Sequence, residues 1–118
     1  MNMADVTIYG IKNCNTMKKI FGWFDRNDVA YDFHDYKKQG IDEAVIKNAI
    51  DSFGWEKVIN TRGMTWRKVD QSVKDTMGNE KALGFAAEKP SAIKRPLIVS
   101  GKDMIFGFDE DALQSLLG

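Results

Sequence analysis

The stretch "TIYGIKNCNTMKKIFGWF", residues 7–24, decides the fold because it joins a short strand to a helix through a polar bend. Residues 6–9 are rich in β-forming side chains, and this run ends at Gly10. After the bend, residues 16–27 predict a helix, since apolar side chains recur at the spacing of one helical face: Met17, Ile20, Phe21 and Phe24. The only cysteine in the sequence, Cys14, falls in the bend.

The residues after this helix predict a second strand. Asn27 and Asp28 are expected to end the helix, and residues 29–33 carry β-forming side chains at alternating positions. Two strands joined by a crossover helix favour a parallel pair, so this part of the chain is interpreted as a βαβ unit.

The middle of the sequence is interpreted as helical. A helix is predicted to begin after Asp42, a good N-cap residue, and to end at Gly54. Residues 55–89 contain no convincing strand, and two short helices are predicted there, opening at Asp70 and Asn79. We therefore expect a helical insertion over about residues 42–89.

The end of the sequence returns to strands and closes with a helix. The apolar runs "PLIVS" and "DMIFGF", separated by a Gly-Lys pair, predict a hairpin, and "DEDALQSLLG" predicts a helix capped by Asp109. The order β-α-β, helices, β-β-α predicts an α/β protein with a thioredoxin-like fold and an inserted helical lobe. We expect one domain over residues 1–118.

Composition limits the kinds of partner and chemistry. Lys plus Arg and Asp plus Glu both total 17, so no net charge attracts nucleic acid or an anionic membrane. No apolar segment approaches the ~20 residues of a membrane span, and the start lacks a signal-peptide pattern. We expect a cytoplasmic monomer without nucleic-acid or membrane partners. One cysteine and one histidine exclude an internal disulfide and predict no metal site built by the protein.

The position of Cys14 favours a reactive thiol. A cysteine just before a helix directs its sulfur toward the N–H groups of the first turn, which favour a negative charge. Thiol pKa values at such positions fall from ~8.5 to between ~3.5 and ~7.5. Polar side chains that could also hold an anion surround the cysteine: Lys12, Asn13, Asn15 and Thr16. The alternative is a small buried apolar residue, as free cysteines often are.

Three motifs together resemble a known family. These are "YGIKNC" near the start, "NTRG" at residues 60–63 and "IKRPLI" at residues 93–98. Their combination resembles the ArsC/Spx family of thioredoxin-fold proteins over nearly the whole chain. The residues of the motifs are most similar to those of the YffB-like branch.

The resemblance implies roles for particular residues. Cys14 would be the nucleophile, and Arg62 and Arg95 would line its pocket. Pro96 would follow a cis peptide bond, at a place where thioredoxin-like proteins hold the backbone of a thiol partner. Independently, a guanidinium beside a thiol lowers the thiol pKa and can clamp a carboxylate or an oxyanion.

Two departures from the family pattern narrow the expected activity. Arsenate reductases of the family bring a third arginine from the region after the last strand, but here residues 106–111 read "FGFDED". Acidic side chains at this place disfavour the binding of arsenate, which is an oxyanion. Spx-type regulators carry a CxxC switch, whereas the fourth position here is Met17.

These observations lead to one hypothesis with two alternatives. We expect a thiol-dependent reductase in which Cys14 attacks an oxidised thiol or an oxyanion, with no bound cofactor and with glutathione as co-substrate or glutaredoxin as partner. The alternatives are an arsenate reductase coupled to glutathione and glutaredoxin, and a non-catalytic Spx-like regulator that binds RNA polymerase. His34 is interpreted as structural rather than as a base, and "TWRKVD" at residues 65–70 as a solvated edge of the lobe.

Overall fold

The computed structural model describes residues 5–117, which fall into two compact units. The first unit joins the residues up to Gln39 with those from Arg95 onward, and the second runs from Gly40 to Lys94. We call the second unit the lobe. No helix within residues 5–117 combines the length and the apolar character needed to cross a lipid bilayer.

The first unit is built on a sheet of four strands, β1 Val6–Gly10, β2 Asp32–Asp35, β3 Leu97–Ser100 and β4 Asp103–Phe106. Their order across the sheet is β2-β1-β3-β4. β1 and β2 are parallel, whereas the β1–β3 and β3–β4 pairs are antiparallel. This mixed sheet, entered through a βαβ unit and completed by a hairpin and a helix, is a thioredoxin-like α/β fold, so the predicted fold class is confirmed.

The helices within residues 5–117 vary from one turn to three. In chain order they are α1 Asn15–Arg26, α2 Tyr36–Gln39, α3 Glu43–Phe53, α4 Trp55–Val58, α5 Met64–Arg67, α6 Gln71–Asp75, α7 Asn79–Glu88 and α8 Glu110–Gln114. A 3-10 turn at Pro90–Ala92 follows α7. The helices predicted after Asp42, at Asn79 and after Asp109 are all present.

The core of the first unit lies where α1 packs on the sheet. Ile8 of β1 pairs with Ile98 of β3, and both side chains are fully buried. The buried cluster comprises Val6, Ile8, Met17, Ile20, Trp23, Phe24, Ile98 and Leu113. A Cβ at Gly10 would lie 2.7 Å from the sulfur of Met17, so the close approach of α1 to the end of β1 requires glycine there.

The prediction that the second strand spans residues 29–33 is wrong by about three residues. β2 begins at Asp32, where its register opposite Thr7 of β1 starts. The chain first reverses after α1 through Asp28, which has a positive φ of 56°, and the Val29 N–H bonds the carbonyl of Phe24 at 3.0 Å. The residues before β2 therefore pack against the helix instead of pairing with the sheet.

The lobe is helical, with α3 at its centre. The carboxylate of Asp42 accepts a hydrogen bond from the N–H of Val45 at 3.3 Å, which confirms the predicted N-cap, and the helix ends before Gly54 as expected. α3 packs against α4 and α7. A single antiparallel bridge between Ile59 and Ile93 closes the lobe near its end.

Trp66 contradicts the interpretation of residues 65–70 as a solvated edge. Its side chain is only 8% exposed. The ring centroid lies 5.4 Å from that of Trp55 and 5.8 Å from that of Phe85, so Trp66 belongs to the core of the lobe. Arg67 and Lys68, which follow it, are exposed.

Candidate active site

Cys14 lies between the end of β1 and the start of α1. Its backbone is extended (φ −144°, ψ 136°), and it takes the N-cap position of α1. Its N–H bonds the carbonyl of Lys12 at 3.1 Å, and its own carbonyl accepts the N–H of Lys18 at 3.1 Å. These bonds fix the loop so that the side chain projects from the start of the helix. Cys14 is partly buried and packs against the core cluster of the first unit.

The surroundings of the thiol favour its ionised form. Burial raises the pKa of Cys14, but the backbone N–H groups of Met17 and Thr16 and the side chain of Arg95 lower it by more, so the net shift is downward. Arg95 acts both as a hydrogen-bond donor to the sulfur and through its positive charge. The sulfur does not reach the geometry of a full side-chain cap, so its contacts with these N–H groups are weaker than cap hydrogen bonds.

Arg95 reaches the sulfur because of the strand register. Tyr9 of β1 lies opposite Leu97 of β3 in an antiparallel pair, so the residues just before Leu97 lie beside the loop that leaves β1. Arg95 is partly buried, and its Nε is shielded from solvent. The bond between Arg95 and Pro96 is cis, as the resemblance implied, and the Pro96 carbonyl accepts the N–H of Gly107 at 2.9 Å.

The remaining polar residues of the loop contribute unequally. Thr16 is partly buried and supplies a backbone N–H to the thiol. Lys12, Asn13 and Asn15 have exposed side chains. The first unit therefore brings together Cys14, Thr16 and Arg95, with the other loop side chains on the surface around them.

Arg62 lies in the lobe, in a turn organised by Asn60. The side-chain oxygen of Asn60 accepts the N–H of Arg62 at 3.2 Å, and its carbonyl accepts the N–H of Gly63 at 3.1 Å. A Cβ at Gly63 would lie 2.9 Å from the Asn60 side-chain nitrogen, so a side chain there would have to displace the Asn60 amide. The N–H of Asn60 bonds the carbonyl of Ala92 at 2.8 Å, next to the Ile59–Ile93 bridge.

Asn60 was not among the residues predicted for the site. Its side chain determines the conformation from which the exposed Arg62 projects. A sequence signal was available, because an asparagine whose side chain accepts the N–H two residues later is a common turn device.

His34 packs among aromatic rings of the first unit. Its ring centroid lies 5.1 Å from that of Tyr9 and 5.9 Å from that of Tyr36. The acids that follow β4 are exposed, and Asp109 caps α8 by accepting the N–H of Ala112 at 3.2 Å. Within residues 5–117 no group of three or more His, Cys, Asp or Glu side chains could hold a metal ion.

The ArsC family model matches residues 9–116. The chain belongs to the ArsC family. Among solved structures, the YffB protein is 42% identical to this chain with a TM-score of 0.91, and the match covers 96% of this chain and 99% of that one. An arsenate reductase (ArsC) related protein from Brucella melitensis is 35% identical with a TM-score of 0.75, covering 98% and 95%.

The chain is also similar to transcriptional regulators. The global transcriptional regulator Spx of Streptococcus mutans is 28% identical over 114 residues, which cover 95% of this chain and 82% of the regulator. The resemblance to the ArsC/Spx family, with its YffB-like branch, is therefore confirmed. ArsC-family relatives thus include both proteins named for reductase activity and proteins named for regulation.

Proposed function

We propose that this ArsC-family protein is a cytoplasmic thiol-dependent reductase with Cys14 as its nucleophile and glutathione as the second thiol. One observation supports this most strongly: the N–H groups of α1 and the side chain of Arg95 lower the pKa of the Cys14 thiol. The thiolate is the reactive form of cysteine, so a lowered pKa increases the fraction able to attack at neutral pH.

In the first step the Cys14 thiolate attacks one sulfur of a substrate disulfide. A sulfur–sulfur bond to Cys14 forms as the substrate's own bond breaks, and the second substrate sulfur leaves as a thiolate that takes a proton from solvent. The substrate has then lost one half as a free thiol, and the other half is joined to Cys14 as a mixed disulfide.

The second step requires an external thiol, because the sequence contains one cysteine. A glutathione thiolate attacks the substrate sulfur of the mixed disulfide, and Cys14 leaves as a thiolate. A low pKa makes Cys14 a good leaving group. A second glutathione, directly or through glutaredoxin, reduces the released substrate–glutathione disulfide. In total one substrate disulfide becomes two thiols, and two glutathiones become one oxidised glutathione.

Residues other than Cys14 also have binding roles in this proposal. Arg95 orients the thiolate and meets the substrate, and the backbone at Pro96 holds the partner chain. Arg62 binds a carboxylate of the substrate or of glutathione, for which a planar guanidinium is suited. The side chains of the loop around Cys14 form the rest of the substrate-binding surface: Lys12, Asn13, Asn15 and Thr16.

Arsenate reduction is the second candidate, favoured by the 35% identity to an arsenate reductase related protein. An oxyanion in the site would be stabilised by positive groups, and Arg95 supplies one beside Cys14. The exposed acids at Asp109, Glu110 and Asp111 work against this reading, because they put negative charge in the segment where the family's reductases bring a further arginine.

Turnover of a small disulfide tests the proposal. Bis(2-hydroxyethyl) disulfide is supplied with glutathione, with and without glutaredoxin, and oxidised glutathione is followed by coupled NADPH consumption. Without glutaredoxin, wild type should exceed the rate given by glutathione alone and Cys14→Ser should not, because a hydroxyl neither ionises near neutral pH nor forms a disulfide. Mass spectrometry after treatment with oxidised glutathione should show one glutathione on wild type and none on Cys14→Ser. Absence of both turnover and adduct in wild type would favour a regulatory role without catalysis.

A further inference from the structure

Met17 contributes to the active site with its backbone and to the core with its side chain. Its N–H group is one of the two backbone groups, with that of Thr16, that favour the thiolate of Cys14. Its side chain has no exposed surface and belongs to the buried cluster between α1 and the sheet. One residue therefore connects the packing of the core to the donors that face the thiol.

The side chain of Met17 lies directly against the end of β1. A Cβ on Gly10, the last residue of β1, would stand 2.7 Å from the Met17 sulfur and 3.0 Å from the terminal methyl carbon of the same side chain. Non-bonded heavy atoms are best separated by about 3.5–4.0 Å, so glycine lets the methionine approach the strand more closely than another residue would. This pair therefore holds the first turn of α1 on the end of β1.

Cys14 lies in the short loop between these two residues and is tied to both elements. Its N–H bonds the carbonyl of Lys12 on the strand side of the loop, and its carbonyl accepts the N–H of Lys18 in α1. If the start of α1 moved while the loop stayed in place, the N–H of Met17 would leave the thiol. If Cys14 moved with the helix, the thiol would leave Arg95, which the β1–β3 pairing places beside it. Either movement would raise the pKa of Cys14.

We propose that Met17 is a positioning residue for the active site, because its contact with Gly10 holds the first turn of α1 where the N–H groups of that turn and Arg95 both lie beside the sulfur of Cys14. The inference rests on the proposed function, in which Cys14 is the nucleophile. Met17 does not meet the substrate in this arrangement; its side chain acts through the backbone that it fixes.

The pH dependence of Cys14 alkylation by iodoacetamide tests the inference on the full chain. Met17→Ala opens a void beside Gly10, and Gly10→Ala fills the space that the Met17 sulfur occupies. In each variant the midpoint of the profile should rise by about 0.5–1 pH unit, since the contacts of the thiol are lengthened rather than removed. The rate below the wild-type midpoint should then fall about three- to tenfold. Met17→Leu, which nearly conserves volume, should stay within about twofold of wild type.

The double variant Gly10→Ala/Met17→Ala isolates the contact between the two residues. The new Cβ at position 10 then occupies part of the space that the methionine has left, so the first turn regains some support. The shift of its midpoint should be smaller than the sum of the two single shifts, because changes at residues in contact are not additive.

Ile20→Ala is the matched control for a loss of packing in α1. Ile20 is fully buried in the same cluster as Met17, but its N–H is not among the groups that act on the thiol. This variant should lower the free energy of unfolding, as Met17→Ala does, and leave the midpoint of alkylation unchanged. Urea unfolding shows which variants are folded under the conditions of the assay, and Met17→Val replaces either single variant that is not.

Three results would overturn the inference. These are unchanged midpoints in Met17→Ala and Gly10→Ala, additive shifts in the double variant, and a shift of equal size in Ile20→Ala. Alkylation requires no substrate, so these results would count against the role of Met17 even if wild type is an active reductase. Conversely, raised midpoints in the two single variants with no shift in Ile20→Ala would support this role even if wild type turns over no disulfide, a result that would instead count against the proposed function.

Discussion

Arg95 lies beside the thiol of Cys14 and lowers its pKa, by hydrogen bonding and through its positive charge. The two residues come from the two separate chain segments of the first unit and meet because β1 and β3 are antiparallel neighbours, with Tyr9 opposite Leu97. The start of α1 supplies the other donors, the N–H groups of Met17 and Thr16. The N–H groups at the start of α1 and the guanidinium of Arg95 thus both favour the thiolate of Cys14.

Removing the guanidinium should make the thiol less reactive. In Arg95→Ala we expect the pKa of Cys14 to rise, and its alkylation by iodoacetamide near pH 7 to slow by roughly tenfold or less, because charge contacts at a partly exposed site are screened by solvent. Arg95→Lys should restore part of the rate, since the charge returns without the planar donor geometry. Arg26→Ala, at an exposed arginine of α1, is the control and should match wild type. Equal rates in Arg95→Ala and wild type would remove Arg95 from the site.

The lowered pKa of Cys14 should also appear in the pH dependence of stability. Because the folded state holds the thiol at a lower pKa than the ~8.5 of the unfolded chain, the unfolded state binds more protons between the two values. The extra stability is fully present above the unfolded pKa and is lost as the pH falls through the folded pKa. The free energy of urea unfolding of wild type, relative to Cys14→Ser, should therefore rise with pH across this window. A flat difference would mean that the fold does not favour the thiolate.

Gly10 should tolerate no side chain. A Cβ there would lie 2.7 Å from the sulfur of Met17, whose side chain is fully buried, so Gly10→Ala should destabilise the protein by about 1–3 kcal/mol. Gly84→Ala, in α7 and with no atom within 4 Å of the new Cβ, is the matched control and should be neutral or slightly stabilising. In a Met17→Ala background the cost of Gly10→Ala should shrink; an unchanged cost would point to a cause other than this contact.

Asn60 should control the turn that carries Arg62. Asn60→Ala removes the acceptor of the Arg62 N–H, so amide hydrogen exchange at Arg62, followed by NMR, should speed up several-fold, with a loss of stability of about 0.5–1.5 kcal/mol. Asn60→Asp keeps an acceptor oxygen and should retain most of the protection. Asn48→Ala, at an exposed asparagine of α3, should leave exchange at Arg62 unaffected. Unaltered exchange in Asn60→Ala would show that the backbone alone holds the turn.

Arsenate should be a poor substrate. The segment after β4 carries Asp109, Glu110 and Asp111, where the resemblance to the family implies an arginine in arsenate reductases. We therefore expect fewer positive partners for the developing oxyanion, and loss of one such donor lowers turnover by ~100-fold or more. The assay supplies arsenate, glutathione and glutaredoxin. The comparison supplies bis(2-hydroxyethyl) disulfide and glutathione without glutaredoxin, and the rate measured without this protein is subtracted from each. Arsenate turnover equal to or above that of the disulfide would make arsenate reduction the better description of this protein.

Local signals in the sequence determined much of the fold. The caps at Asp42 and Asp109 form as predicted because a cap depends on bonds to residues only three positions away. The place of Cys14 before a helix follows in the same way from the polar bend and the helical spacing after it. The resemblance pointed to Arg95, but sequence spacing alone gave no reason for it to meet the thiol.

Tertiary structure decided what depends on distant neighbours. β2 begins at Asp32 and not at Val29 because pairing with β1 sets its start, and β propensity does not report where a partner strand begins. Trp66 is buried because α7 brings Phe85 over it, although charged residues follow it in the sequence. Arg95 lowers the pKa of Cys14 because the register between β1 and β3 brings them together, and register is a property of paired strands rather than of either strand alone.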